Sequence, residues 1–556
     1  MKKIIISIII LLGSASAFAQ QNDKLLQTLK SELNYSMEQL QKQPDHKPYY
    51  MSMRVEDKYT LVLKSSFGNK NGEEEGRIRL FSPQIRIGSK QLDNFKYTTQ
   101  GIQQYQGMSV SQPTMLPLDD NATEGIRAAI WKETNSRYKY ACQVFDEAKT
   151  KVATTAANED KAACFSDAPV EKYYDASIDN CFYHIDKASW LKKLNEISAA
   201  FKAEPELLGG EASLTYQVSR VYFVNTEGTE VVQNRICGRI MLSTQAVAAD
   251  GMSLPLNKDY LAYDLDSLPS VEKMVTDAKD MVKRVLALRN APVADPYTGP
   301  AMLSGEASGV FFHEIFGHRL EGHRLKEGGE TFKKMVGQLV LPKEFQVYCD
   351  PTLSHYAGTD LNGYYKFDDE GVKARRVNNV VNGVLKSFLM SRVPLDGFPE
   401  SNGHGRTSDD KDPVSRQSNL IVETNKPYTE AQMRQMLRAE AKKQGKEYGY
   451  YFKTVTSGYT YTGEGGSLNS FNVTPLEVYR IFADGRPDQL VRGVDLIGTP
   501  LSMFSHIAAA GKNASVFTGV CGAESGWVPV TAVSPTIFVT QIETQRRAKS
   551  NYVPAT

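Results

Sequence analysis

Three histidines and two glutamates lie within twelve residues of this chain, in the segment 313–324, which reads His-Glu-Ile-Phe-Gly-His-Arg-Leu-Glu-Gly-His-Arg. Two imidazoles, on His313 and His318, together with the carboxylate of Glu314 are the groups that a metal-dependent hydrolase needs. Imidazole nitrogens bind a borderline-soft cation such as zinc, and a neighbouring carboxylate accepts a proton from water that the cation activates. The segment therefore indicates a metal site with Glu314 as its general base.

The spacing of this motif is unusual. Three residues separate Glu314 from His318, whereas the common metalloprotease helix has two. In a regular helix His313 and His318 diverge by about 140° around the axis and do not face one metal ion. A π-bulge, or a break at the poor helix former Gly317, removes this obstacle. We therefore predict a distorted turn between Phe316 and His318.

A catalytic zinc ion normally has three protein ligands and one open position. Nearby candidates for the third ligand are Glu321, His323 and Glu327. A distant candidate is Cys521, in the glycine-rich segment 518–526. A cysteine in a glycine-rich loop can approach a metal closely, and the metal keeps it as thiolate. Because a single cysteine is more often a small buried apolar residue, the residues alone leave the third ligand open.

The elements that must position these residues follow from periodicity. Helical spacing of apolar residues predicts helices over 25–40, 123–152, 189–201 and 268–288. Alternation predicts strands over 49–66, 77–87, 214–225 and 229–243, with a weaker strand near residue 259 and a polar turn over 69–75. Residues 20–290 are therefore predicted to form an N-terminal α/β layered domain.

Proline-rich punctuation at 290–296 places a domain boundary near residue 290, so that 291–556 forms a second domain. Strands are predicted over 377–390, 418–424, 450–462, 473–483, 489–497 and 537–542, and one helix over 429–444. Asn382-Gly383 and Asp484-Gly485 are typical of hairpin turns. The predicted fold class is α+β, in which the second domain is mostly antiparallel β-sheet and carries the metal-binding helix.

Composition and charge exclude some classes of function. The chain has 556 residues, of which 41% are hydrophobic. Its net charge is only +1, so the protein as a whole does not attract nucleic acid or anionic membranes electrostatically. We therefore expect no nucleic-acid partner. The six cysteines form no metal knuckle. Cys164 and Cys181 flank a loop-like stretch and are either a disulfide or two free thiols.

The first nineteen residues have the features of a signal peptide. Lys2 and Lys3 precede an apolar run over 4–12, and Ala17-Phe18-Ala19 is a small-x-small cleavage site. The apolar run is too short to span a bilayer. We expect the mature protein to be exported, to the periplasm or the extracellular space, with no stable membrane insertion after cleavage.

The segment 313–323 resembles the active-site helix of the TldD/PmbA family of metallopeptidases, which carries His-Glu-x-x-x-His followed by Leu-Glu-Gly. Similar strings recur downstream and cover most of residues 295–545. They are Phe-Asp-Asp-Glu-Gly at 367–371, Asn-Gly-Val-Leu-Lys-Ser-Phe-Leu at 382–389, Ser-Asn-Gly-His-Gly-Arg at 401–406 and Thr-Gly-Val-Cys-Gly at 518–522.

The resemblance implies that His313, His318 and Cys521 bind the metal and that Glu314 is the general base. It implies zinc, although iron suits the same ligands. It also implies extended or unfolded peptides as substrates and a homodimer, or a heterodimer with a family member. The chain departs from the family at His323, where relatives often have aspartate, and at 523–525, where they carry a lysine. Most members are cytoplasmic, unlike the export expected here.

The expected reaction is peptide hydrolysis by metal-activated water, with the peptide bound in extended form against a strand. Candidates to stabilise the developing oxyanion are His323, His404, Tyr459 and Tyr461. The sequence leaves two alternative functions open. One is a non-catalytic scaffold subunit of a TldD/PmbA-type complex, and the other is a metallohydrolase that does not act on peptides.

Overall fold

The computed structural model describes residues 20–97, 114–154, 161–202, 204–326, 330–408, 411–460 and 471–547. The predicted signal peptide, residues 1–19, lies outside the described residues. Among the helices that are described, none is both long and apolar enough to cross a membrane.

A seven-stranded sheet organises the first half of the chain. Its strands follow the order β3-β2-β1-β5-β6-β4, with β7 paired to β6. All pairs are antiparallel except β4 with β6. The strands are β1 (Pro48–Ser66), β2 (Asn69–Ile87), β3 (Thr114–Met115), β4 (Lys172–Tyr174), β5 (Leu207–Asn225), β6 (Glu230–Val247) and β7 (Ser253–Ala262). The helices of this half are α1 (Lys24–Gln41), α2 (Thr123–Thr154), α3 (Lys187–Ala199) and α4 (Val271–Asn290).

The two faces of this sheet differ because side chains alternate along a strand. Along β1, Met51 and Val55 belong to an apolar cluster with helices α1 and α2, and Leu61 to a cluster with α3 and α4. The opposite face is polar and meets the second half of the chain. There Arg54 pairs with Asp369 at 3.0 Å. The helices therefore cover one face of the sheet, and charged side chains on the other face contact the second half of the chain.

A twelve-stranded sheet organises the second half. Its longer strands are β8 (Tyr297–Leu303), β9 (Phe345–Cys349), β12 (Val377–Val381), β16 (Asn419–Thr424), β18 (Tyr448–Thr460), β19 (Phe471–Phe482), β21 (Val494–Gly498), β22 (Ile507–Ala523) and β23 (Gly526–Arg546). Its shorter strands are β13 (Val384–Leu385), β17 (Pro427–Tyr428) and β20 (Gln489–Val491). The order β13-β12-β9-β16-β23-β21-β19-β18-β8 is closed by a further pairing of β8 with β23, and β17, β20 and β22 lie off this path. Two separate two-stranded sheets are formed by β10 (His355–Tyr356) with β11 (Thr359–Asp360) and by β14 (Gly405–Arg406) with β15 (Val414–Ser415).

The helices of this half are α5 (Gly305–Ile315), α6 (Gly322–Lys326), α7 (Glu330–Lys333), α8 (Glu430–Lys443) and α9 (Pro500–Ser505). Helix α5 contacts β8, β18, β19, β22 and β23. Most of its residues are buried, and a helix buried on nearly all sides needs apolar side chains all round. The segment Val310-Phe311-Phe312 meets that need. The motif helix therefore lies within the largest apolar core of the chain.

The predicted α+β fold class is confirmed, and the second half is mostly antiparallel as expected. Several local predictions are wrong. Residues 69–75 belong to β2, because the hairpin turns earlier, at Phe67 and Gly68, which both have positive φ. The strand predicted over 377–390 is reduced to β12 and β13, which flank the predicted Asn382-Gly383 turn. The predicted boundary near residue 290 lies in the connection between α4 and β8.

The two cysteines considered for a disulfide are both free. Cys164 is buried, and its Sγ donates to the backbone oxygen of Gln91 at 3.4 Å. Cys181 is exposed in a short 3₁₀ turn, Asn180–Tyr183. Of the two interpretations, free thiols are the one that the structure supports.

Candidate metal centre

Helix α5 ends inside the motif. Its N-terminus is capped by the Ser304 side chain, which accepts from the backbone N–H of Ala307. The helix stops at Ile315, Phe316 has φ −113° and ψ −49°, and a 3₁₀ turn follows over Gly317–Leu320. The predicted distortion between Phe316 and His318 is confirmed as a break in the helix.

The break brings the two motif imidazoles together. The ring centroids of His313 and His318 are 4.9 Å apart, and their planes are inclined at 76°. His318 is buried with 5% exposure, whereas His313 is half-buried. The two rings therefore face a common point, despite a spacing that a regular helix separates.

Gly317 is needed at the break for a reason other than flexibility. Its φ is not positive, but a Cβ atom there would lie 1.8 Å from Oε1 of Gln417. Gln417 is buried, and its Nε2 donates to the backbone oxygen of His313 at 3.2 Å. The glycine thus leaves space for a side chain that anchors the end of the helix.

Cys521 reaches the same point from the other end of the chain. The segment predicted as a glycine-rich loop is instead the end of β22, which pairs with β23 in a hairpin where Cys521 lies opposite Val528. Its Sγ is 3.4 Å from Nε2 of His318. The ligand atoms of His313, His318 and Cys521 all lie within 4.8 Å of one another. Of the two classes of third ligand considered, the structure brings the distant cysteine to the histidines.

The surroundings favour the thiolate form of Cys521. Burial by itself raises the pKa of this thiol, but the charges and hydrogen bonds of His318 and His313 outweigh burial and hold the pKa well below its usual range. Burial by itself lowers the pKa of His318, but the carboxylate of Glu321 and the sulfur of Cys521 raise it to about 10. Thiolate is the form of cysteine that binds a metal ion. A cation at this point would displace the proton from His318.

Glu314 lies beside this cluster. Its Oε2 is 3.9 Å from Nε2 of His318, and 7% of the residue is exposed. Gly458 of β18 passes so closely that a Cβ atom there would lie 2.6 Å from Cγ of Glu314. The predicted general base is therefore held between the motif helix and a neighbouring strand, within reach of a small molecule at the cluster.

The other residues proposed from the motif have different surroundings. Glu321 accepts a hydrogen bond from Nδ1 of His318 at 3.0 Å, on the side of the ring away from Cys521. His323 is 1% exposed, and its Nε2 lies 3.7 Å from Glu524. His404 is fully buried against Asn402 and Ser418. Neither histidine is presented to a bound substrate. Glu327, Tyr461 and the side chain of Tyr459 lie outside the described part of the chain.

Sequence reasoning missed two arginines. Arg324 donates to Glu321 and Glu524, and the completely buried Arg416 donates to the backbone oxygen of Cys521 at 2.6 Å. Arg324 lies inside the motif and carries no feature that separates it from a surface arginine. Arg416 lies in an irregular segment without periodicity. A buried arginine surrounded by acceptors is recognisable only once the chain is folded.

The cluster suits a metal ion of the zinc type. Two imidazole nitrogens and one thiolate sulfur are ligands that zinc accepts, with bonds of about 2.0–2.3 Å, and they leave a fourth position open. Iron accepts the same donors. The ligand atoms lie within 4.8 Å of one another, a spacing from which adjustment of the side chains can bring all three to one ion.

Known proteins resemble this chain mainly over the half that carries the cluster. A family model described as PmbA/TldA metallopeptidase C-terminal domain matches residues 296–546. A protein of Methanocaldococcus jannaschii named a metalloprotease is 28% identical over 258 residues, which are 46% of this chain and 52% of that protein. A protein of Saccharolobus solfataricus, named a zinc metalloprotease TldD homolog, is 26% identical over 260 residues, again 46% and 52%. The chain thus spans about half the length of these curated relatives.

The fold extends further than the sequence similarity. The crystal structure of TldE from Thermococcus kodakarensis superposes with a TM-score of 0.60 at 15% identity. The superposition covers 93% of this chain and all of that one. The similarity in fold to TldE therefore extends over both halves of the chain.

Proposed function

We propose that this chain is a member of the PmbA/TldD family of metallopeptidases, whose C-terminal domain matches residues 296–546, and that it is an exported zinc-dependent peptidase that cleaves extended or unfolded peptides. The observation that carries the proposal is the convergence of His313, His318 and Cys521, three residues that the chain separates by up to 208 positions, with Glu314 beside them. A structural role needs no carboxylate at such a point, whereas hydrolysis does.

Each residue has a definite part in the proposed reaction. His313, His318 and Cys521 would hold the zinc ion, which would polarise the scissile carbonyl and make water nucleophilic at neutral pH. Glu314 accepts a proton from the attacking water and returns it to the leaving amine. Iron is the alternative metal for the same three ligands.

The substrate and assembly follow from the family and the fold. An extended peptide gains main-chain hydrogen bonds along a strand with little dependence on its sequence, and the second half of the chain is rich in strands. The resemblance to the TldD/PmbA family motivates a dimer, formed either with a second copy or with another family member. Export to the periplasm or beyond rests on the N-terminal signal sequence.

The test is cleavage of casein and short peptides by the purified protein, with and without a chelator, alongside Glu314→Gln. The expected result is chelator-sensitive cleavage that Glu314→Gln abolishes while its zinc content stays at the wild-type level. Glu306→Gln, on the same helix but outside the cluster, is the matched control and should cleave normally. Zinc bound at the cluster without peptide cleavage would instead support a scaffold subunit or a hydrolase with another substrate. Cleavage that survives the chelator would contradict the proposal.

A further inference from the structure

Glu321 is completely buried and lies three residues after His318. Its Oε2 accepts a hydrogen bond from Nδ1 of His318 at 3.0 Å. A neutral imidazole that donates from Nδ1 presents the lone pair of Nε2 on the other side of the ring. Here Nε2 faces Sγ of Cys521, 3.4 Å away. Glu321 therefore selects the tautomer and the ring orientation in which Nε2 of His318 is the ligand atom.

Arg324 ties Glu321 to the hairpin that carries Cys521. Its Nε donates to Oε2 of Glu321 at 2.6 Å. Its terminal nitrogens bind the carboxylate of Glu524, at 2.6 Å through Nη1 and 2.8 Å through Nη2. Glu524 belongs to the turn between β22 and β23, three residues after Cys521. Arg324 thus connects Glu321, the partner of His318, to Glu524 in the turn that follows Cys521.

Arg416 makes a second connection to the same hairpin. Its Nη2 donates to the backbone oxygen of Cys521 at 2.6 Å. Its Nη1 donates to Oγ of Ser525 and to the backbone oxygen of Gly526, both at 3.0 Å. Its Nε lies 3.6 Å from Oε1 of Glu321. The planar guanidinium therefore holds the backbone of the third ligand and the hairpin turn at once, a geometry that a lysine cannot reproduce.

Such a network of buried charges contributes little net stability to a fold. Buried ion pairs lose much hydration, and apolar side chains of the same volume often stabilise a core equally well. Buried charges that surround metal ligands have a specific use, since partners of ligating histidines set the ring orientation and the metal affinity. The positions of Glu321, Arg324 and Arg416 match that use, because each bond described above ends on a ligand residue, on the hairpin residues 524–526 that follow Cys521, or on another member of the network.

We propose that Glu321 is a positioning residue that orients His318 and, through Arg324 and Arg416, sets the separation between His318 and Cys521. This inference rests on the proposed function, because it concerns the same metal centre. Glu321 lies outside the three ligands and the general base, and its contacts hold the helix break and the distant hairpin in register.

The test compares zinc affinity of the full-length wild-type protein with that of Glu321→Gln, by competition with a chromophoric chelator. We expect the variant to bind zinc about 10–100-fold more weakly, the usual effect of losing a partner of a ligating histidine. With cobalt(II) in place of zinc, the thiolate-to-cobalt absorption band should shift or weaken, which reports on the geometry at Cys521 independently of catalysis.

Glu477→Gln is the matched control. Glu477 is also buried, at 1% exposure, and its Oε1 accepts a hydrogen bond from Nε of Arg284 at 3.0 Å, but the contacts of its carboxylate are with Arg284, Lys453 and Thr454. Removing its charge should leave zinc affinity and the cobalt spectrum unchanged. If Glu477→Gln weakens zinc binding as much as Glu321→Gln does, the effect is general destabilisation and the inference is wrong.

Arg416→Lys tests the same inference if Glu321→Gln does not fold. The lysine retains the positive charge but lacks the planar guanidinium group that donates several hydrogen bonds at once. We therefore expect weaker zinc binding and an altered cobalt spectrum, with a wild-type circular dichroism spectrum. Wild-type affinity and spectrum in both variants would overturn the inference alone. Zinc that remains after His313→Ala would instead overturn the proposed function, because the cluster would then not be the metal site.

Discussion

The substitution Gly317→Ala tests the packing at the helix break directly. The new methyl group would lie 1.8 Å from Oε1 and 2.2 Å from Cδ of Gln417, which is buried and has to move away. Overpacking of this kind costs about 1–3 kcal/mol, and loss of the Gln417 hydrogen bond to His313 costs about 1 kcal/mol more. The greater helix propensity of alanine offsets at most about 1 kcal/mol. We expect the free energy of unfolding to fall by about 1–3 kcal/mol.

A double-mutant cycle isolates the contact. In a Gln417→Ala background the three atoms that the new methyl group would meet are absent, so Gly317→Ala should cost little there or be slightly stabilising. The two substitutions should therefore couple by about 1–3 kcal/mol, within the range found for residues in contact. Urea unfolding of chelator-treated protein is the assay, because bound metal would add its own stabilisation.

Gly76→Ala is the control for this cycle. Gly76 lies in β2, its φ is not positive, and no atom lies within 4 Å of an added Cβ. This change should shift the free energy of unfolding by no more than about 0.5–1 kcal/mol. If Gly317→Ala costs the same with and without the Gln417 side chain, the glycine is required for the backbone conformation and our explanation of the break is refuted.

Three further predictions concern the metal and the pH dependence of stability. Cys521→Ser should lose zinc. The control Cys237→Ser, at a half-buried thiol outside the cluster, should keep zinc. Full zinc occupancy in Cys521→Ser would show that another residue is the third ligand. Zinc added to wild-type protein should raise the thermal unfolding midpoint by mass action, and the rise should vanish in His313→Ala. Burial raises the pKa of Glu370 to about 7 in the folded protein, where the buried Asp368 lies beside it, so the folded protein binds the proton more tightly than the unfolded chain does. The stability that this proton contributes is present below about pH 4.5 and is lost as the pH rises through about 7, so Glu370→Gln should lose less stability than wild type between pH 5 and pH 8. Urea unfolding at pH 5 and pH 8 decides this, and an equal pH dependence in both proteins would count against it.

Local signals in the sequence predicted several elements closely. The helix predicted over 429–444 is α8, with Thr429 and Gln444 as its caps, because the Thr429 and Gln432 side chains form a capping box that depends only on neighbouring residues. The helix predicted over 25–40 is α1, since its apolar stripe has a regular 3.6-residue period. Elements such as these are specified by short-range interactions.

Strand β22 was missed for the opposite reason. Its residues 507–523 are rich in alanine and glycine, which carry little strand propensity. The segment is extended because β23 pairs with it over most of its length, a long-range interaction. For the same reason Cys521 was expected in a loop, although the prediction that it could reach the histidines agrees with the geometry.

The sequence by itself determined the chemistry of the centre and the point where the helix fails. Residue types and spacing identify His313, Glu314 and His318, and the incompatibility of that spacing with a regular helix follows from helical geometry alone. Only the tertiary structure decided the third member of the cluster and what holds it. Cys521 meets His318 across 203 residues through strand pairing, and Glu321 and Arg416 connect the two through buried contacts. Such contacts depend on the register of distant strands and on burial, and neither is encoded in a local pattern.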